Sequence, residues 1–204
     1  MRSASYSILA LLSLLGVIYV VAVYGFFPLG ALAHPLMRAS FESHPPLVYG
    51  HVAVSAVALL LGPAQFSAKL RSSQPSLHRW SGRLYLIVVL VAGVSGLYLS
   101  QFAFGGRSVK LAFAALAVAW LYTGYRAYAA IRGGKVFEHR RWVVRNFSLT
   151  FAGITLRLYI FAGLAMNVPF EVVYSSVAWL WLLNLVFAEL LFNQVHNPSI
   201  ERTG

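Results

Sequence analysis

Cysteine and aspartate are absent from this 204-residue chain, and its acidic side chains number five. Without cysteine there are no disulfides, thiolate metal sites, iron–sulfur clusters or cysteine nucleophiles. With so few carboxylates, paired-carboxylate catalysis and hard-cation sites are difficult to build. Charge of either sign is scarce as well: 10% of residues, against about 25% in a soluble domain. That is too little to cover a water-facing surface, so lipid is expected to solvate much of the outside. What charge there is runs strongly basic, with a net +11. It falls in short gaps between apolar runs, which fits anionic lipid headgroups. It does not fit nucleic acid, which would need a solvated basic face.

Hydrophobic residues make up 59% of the chain and gather in six runs, at about residues 8–29, 47–66, 83–104, 109–131, 142–166 and 172–192. Each approaches the ~20 residues that cross the hydrocarbon core as a helix, and a helix satisfies its own backbone there. The expected fold is all-α: a polytopic membrane helix bundle of six transmembrane helices, forming one integral membrane domain over residues 1–204. The first run follows Arg2 and precedes Ala31-Leu32-Ala33, as a signal peptide would. It exceeds the ~7–15 residues of a signal core and is read as a retained span. The gaps after spans two and four hold Lys69, Arg71, Arg79 and Arg83, then Arg126, Arg132, Lys135, Arg140, Arg141 and Arg145. The opposite gaps hold only Arg38, Arg107 and Lys110. The positive-inside rule then places both termini and both basic gaps in the cytoplasm. The tail after Asn193 is polar and expected to fray.

Leu77 to Tyr85 reads LHRWSGRLY, and it has an echo at Glu138 to Phe147, EHRRWVVRNF. Arg79-Trp80-x-x-Arg83 aligns without a gap on Arg141-Trp142-x-x-Arg145, while His78 and His139 fall one residue out of register. One reading is a duplicated helical hairpin, with spans two and three repeated as four and five. The other is that helices entering from the same side both gather Arg and Trp at that level.

Several polar residues sit where apolar ones would serve. His139, Asn146, Thr150, Gly153 and Arg157 are spaced to share one face of the fifth helix, in a stripe of about 27 Å. Arg157 lies deep in its run, where a charge costs at least about 2.5–3.5 kcal/mol. It could approach His51 if the second and fifth helices are neighbours. The second helix carries His51, Ser55, Gly62 and Gln65 on a similar stripe. Arg157, Asn146, Thr150, Ser55 and Gln65 are the candidate substrate-binding set. His78 and His139 lie at similar depth and could supply two axial nitrogens to a haem iron. Arg79, Arg83, Arg140 and Arg145 could hold its propionates or other anionic groups. Both histidines could instead bond headgroups at the interface. A second haem would need His51 with His34 or His44, which lie on a loop beside Pro35, Pro45 and Pro46. Asn184 and Glu189 on the sixth span are expected acceptors for the arginines. Gly93, Gly96 and Gly163 are expected to let helices approach closely.

His51 with Gly62-x-x-Gln65-Phe66, then Leu77-His78-Arg79-x-x-Gly82-Arg83-x-Tyr85, then His139-Arg140-x-Trp142-x-x-Arg145 and Arg157, resembles the domain-of-unknown-function 2306 family. The resemblance covers about Leu47 to Phe192. It implies a bacterial multi-pass membrane protein, hence the cytoplasmic membrane, and no settled activity. The histidines also invite comparison with cytochrome b561-type haem bundles. Those carry four histidines inside paired helices, whereas here only His51, His78 and His139 fall on or next to a span.

Three functions are consistent with these residues. The first is a redox protein linked to haem b or quinone, with His78 and His139 as iron ligands. The second is a transporter or binder of an anionic or amphipathic small molecule, centred on Arg157 and His51. The third is a non-catalytic membrane subunit that packs against a partner.

Overall fold

The computed structural model describes the backbone of residues 3–195 and the side chains of residues 6–190; Arg2 and most of the polar tail lie outside the described residues. The described chain is helical, with no strand. In order, the long helices are α1 (Ser3–Phe26), α3 (Pro45–Phe66), α5 (Pro75–Leu99) and α6 (Gly106–Arg132). Then follow α7 (Val136–Thr150) and α8 (Ala152–Ala165), and finally α9 (Phe170–Val177) and α10 (Trp181–Val195). Two short helices occupy loops: α2 (Pro35–Glu42) and α4 (Ala68–Ser73).

Five helices are long and apolar enough to cross a membrane, with α7 and α8 counted as one, and six if the bent pair α9–α10 is one span. Their flanks are lipid-ready. Ile8, Leu11, Leu15 and Ile18 on α1, Ile87, Leu90 and Val94 on α5, and Val186 and Phe187 on α10 are all exposed. Such continuous apolar surface is far beyond what a soluble monomer shows.

Two helices expected to be continuous are interrupted. The fifth has a turn at Phe151, where Ile154 N–H bonds the Phe151 carbonyl three residues back. The sixth is two helices bent by 41°. There the bonds of Trp179, Leu180, Leu182 and Leu183 all run to the carbonyl three residues back, a tightening that deflects a helix without proline. Two helices also begin earlier than their apolar runs. α5 starts at Pro75, in the first-turn position proline favours. α7 starts at Val136. Both histidine–arginine stretches are therefore helical, because helix formation does not stop where hydrophobicity does.

The core is a ring of four helices. α3 packs on α5, α5 on α6, α6 on α7, and α7 back on α3. The closest neighbours are the hairpins α3–α5 and α6–α7, and α5 and α7 face each other across the diagonal. α1 lies on α3, and α10 on α7 and α8. Glycine sets the α3–α7 approach. A Cβ on Gly62 would lie 1.9 Å from the Phe147 ring, and Phe147 is itself packed against Phe66 at 5.5 Å and Phe151 at 6.2 Å between centroids. Gly93 meets Leu121, Gly96 meets the His51 ring and Gly163 meets Val173 in the same way.

Gly62→Ala should therefore force the Phe147 ring aside and destabilise by about 1–3 kcal/mol, the usual penalty of overpacking. Gly50→Ala, which meets nothing within 4 Å, is the matched control. Thermal unfolding in detergent measures both, and equal melting temperatures would contradict the packing described.

Candidate functional site

The deepest polar cluster joins α5, α6 and α7 halfway along the ring. Asn146 is fully buried and Tyr85 nearly so. The Tyr85 hydroxyl donates to Asn146 Oδ1 at 2.7 Å. Asn146 Nδ2 donates to the Trp120 carbonyl at 2.8 Å and to Thr123 Oγ1 at 2.9 Å. The carbonyl can only accept, so this bond fixes which way the Asn146 amide points. Trp120 Nε1 donates to Thr150 Oγ1 at 2.9 Å. With the Tyr85 proton committed, Thr150 gives its own to Tyr85 Oη at 3.0 Å or to the Asn146 carbonyl at 3.1 Å. Thr123 donates to the Ala119 carbonyl at 2.8 Å. Every donor in the cluster is engaged. Asn146 and Thr150, expected to bind substrate, keep no proton for a ligand in this geometry.

His78 and His139 lie seven residues, two helical turns, before Tyr85 and Asn146 respectively. Each histidine thus shares a helix face with one member of the Tyr85–Asn146 pair, and both stand at the arginine-rich end of the ring, within electrostatic reach of each other. His139 Nδ1 is 2.8 Å from the Ala127 carbonyl. In the neutral ring that nitrogen carries the proton and Nε2 keeps the lone pair. His78 is half-buried, and its Nδ1 is buried without a hydrogen-bond partner. The two clefts described in the structure, of about 390 and about 310 Å³, are lined by other residues.

The surrounding basic residues divide. Arg79, Arg83 and Arg140 are exposed. Arg79 reaches Ser76 Oγ at 3.3 Å, and the Arg83 guanidinium lies 4.9 Å from the centre of the Trp80 ring. Arg145 instead forms a two-pronged ion pair with Glu189, through Nε and, at 3.0 Å, Nη2. Glu189 is thus the arginine acceptor expected of it. Asn184 is not: it donates to the Ser148 carbonyl and to Thr155 Oγ1, both at 3.0 Å, and so pins α10 to α7 and α8.

The turn at Phe151 divides the expected stripe on the fifth span. His139, Asn146 and Thr150 belong to α7, while Arg157 stands on α8. The Arg157 guanidinium donates to the Gly153 carbonyl and lies 5.6 Å from the centre of the Tyr19 ring on α1. It is within electrostatic reach of His51. His51 Nδ1 sits 3.0 Å from the Ala92 carbonyl and 3.1 Å from Ser95 Oγ, which leaves Nε2 unprotonated. One turn along α3, the Ser55 hydroxyl is buried with no hydrogen-bond partner among the described residues. Gln65 ties α3 to α5 through Ser81 Oγ at 3.1 Å. His34 and His44 are engaged separately: His34 stacks on Phe170 at 3.8 Å, and His44 packs on Phe102 at 4.0 Å between centroids.

A family model described as "Predicted membrane protein (DUF2306)" matches residues 48–192. The chain belongs to that family. No curated protein and no solved structure matches it. This DUF2306 member is thus an integral, multi-pass membrane protein. The match takes in the four-helix ring except the first three residues of α3, together with the histidine pair and the Tyr85–Asn146 cluster. Sequence reasoning missed Trp120 and Thr123. Their signal was a Trp and a Thr three residues apart in mid-span, away from the interface where aromatics otherwise gather.

In this DUF2306 chain, Tyr85→Phe should cost about 1 kcal/mol, since it strips one donor from a buried network. Asn146→Leu should cost more, about 2–4 kcal/mol, because it removes the bonds to Tyr85, the Trp120 carbonyl and Thr123 together. Melting temperatures in detergent rank them. An Asn146→Leu protein as stable as wild type would mean that the network is not what holds α5 to α6 and α7.

Proposed function

We propose that the chain is a redox protein of the bacterial cytoplasmic membrane, holding one b-type haem between His78 and His139 with the arginine-rich end on the cytoplasmic side. One observation carries the reading: facing helices present two imidazoles at the same level, and each keeps an uncommitted nitrogen. His139 has the tautomer of an iron ligand, with Nδ1–H held by a backbone carbonyl and Nε2 open. His78 brings a buried nitrogen with no hydrogen-bond partner among the described residues, and a buried polar atom left so is costly. Arg79, Arg83 and Arg140 have no carboxylate partner among the described residues, and guanidinium suits propionate. Arg145, paired with Glu189, is left out of that set. The sealed Tyr85–Asn146 cluster closes the bundle beyond the histidines and keeps water from crossing the ring. A haem with two imidazole ligands supplies one-electron transfer to a membrane-soluble acceptor such as a quinone.

Purified full-length protein, expressed with ample haem precursor, should show a Soret band that shifts on reduction. His78→Ala and His139→Ala should each abolish it, whereas His34→Ala should retain it. A colourless wild-type protein with a cooperative melt, or a Soret band kept in both ligand variants, would overturn the assignment.

A second reading rests on Arg157. It is an arginine in an apolar span with no acidic partner among the described residues, within electrostatic reach of His51. Such a residue marks a ligand pathway by default, here for an anionic or amphipathic molecule. Under this reading an anionic amphiphile such as a fatty acid raises the melting temperature, and Arg157→Gln removes the rise. An equal rise in the variant would eliminate Arg157 as the binding group.

A further inference from the structure

We infer a binding site for an anionic phospholipid in the cleft between α6 and α10. α10 packs on α7 and α8 rather than on α6, so a cleft of about 390 Å³ remains over α7, open at one side. Its volume falls in the roughly 300–1,000 Å³ range of small-ligand sites. Ala119, Leu185 and Val186 form apolar walls, Tyr122, Thr123, Trp142, Arg145 and Glu189 complete the lining, and Arg126 borders it through its contacts with Tyr122 and Trp142.

The polar groups share one level. Arg126 lies six residues before the end of α6 at Arg132, Trp142 six after the start of α7 at Val136, and Glu189 six before the end of α10 at Val195. Six residues are about 9 Å of helix, the depth at which headgroups meet acyl chains. The Trp142 ring carries two guanidiniums over it, those of Arg126 and Arg145, each 4.5 Å from its centre. Arg126 also donates to the Tyr122 hydroxyl at 2.8 Å.

Charge selects the ligand. Arg145 is paired with Glu189, and Arg141 reaches the same carboxylate at 3.9 Å. Arg126 has no carboxylate partner among the described residues. Three guanidiniums against one carboxylate leave +3 − 1 = +2 at the polar end of an apolar cleft. Its stacked plane is already oriented, so the fork of donors that remains on Arg126 suits a phosphate diester. Val186, on the wall, is 52% exposed, so an acyl chain can enter sideways from the bilayer. A free phosphate would leave those walls unused.

The test is native mass spectrometry of the full-length protein in detergent, with added phosphatidylglycerol and phosphatidylcholine of matched chains. Wild type should retain phosphatidylglycerol at least ~5-fold in preference, on the scale of about 1 kcal/mol for a cation near an anionic surface. Arg126→Gln should bring the two lipids within ~2-fold of each other, while Arg83→Gln, outside the cleft, should keep the preference. Val186→Trp, a substitution on the lipid-facing wall, should reduce retention of both lipids by filling the chain's place. Equal binding of the two lipids to wild type, equal effects of the two arginine variants, or unchanged retention in Val186→Trp would each overturn the site.

Discussion

Asn146 has no contact with water and none with lipid, yet it is an amide in the middle of an apolar bundle. Its three side-chain hydrogen bonds with Tyr85, Trp120 and Thr123, and the bond its own carbonyl takes from Thr150, bind three of the four ring helices into one unit. In hydrocarbon there is no hydrophobic force to push helices together, so packing and such bonds must hold them. The network also sets register. Tyr85 can reach Asn146 at only one vertical and angular setting of α5 against α7, and that setting brings His78 and His139 to the same level. Everything said of the histidine pair depends on it.

Around this plug the molecule is organised by how charge can be tolerated at different depths. At the arginine-rich end, guanidiniums lie over indole and phenol rings or meet the carboxylate of Glu189, and other arginines are exposed. Farther in, the hydroxyl and amide groups are neutral and closed on one another. In the other half, Arg157 is the exception, held by a backbone carbonyl and the face of Tyr19. The close contacts of Gly62, Gly93 and Gly96 let backbones approach where side chains would otherwise separate them, and they fix the His51 ring and the Phe147 ring in place.

Much of this was legible from spacing. The apolar runs mark each span, although α5 begins eight residues and α7 six residues before its run, and the seven-residue interval from His78 to Tyr85 gives a shared face once both are on one helix. Glu189 was legible as an arginine partner because it is the one acid on its span. Other features were not. The echo aligned Arg79 with Arg141, an offset of 62, whereas Tyr85 and Asn146, which are hydrogen-bonded, have an offset of 61, as do His78 and His139. Asn184 looked like an acceptor and acts as a donor, because the backbone carbonyl of Ser148 happens to face it. The turns at Phe151 and at residues 178–180 involve neither proline nor a charge, so nothing in composition marks them.

The sequence alone determined that the chain lives in lipid, that it is helical, which runs cross, and which gaps carry the arginines. These follow from transfer energies and helix periodicity, which act residue by residue along one helix. Only the tertiary structure decided which polar side chains close on one another and which stay open. Asn146 and Thr150 are saturated, while His78 Nδ1 and Ser55 are not. That outcome depends on what stands across the gap on another helix, at the same height and angle, and periodicity within one segment cannot specify its neighbour.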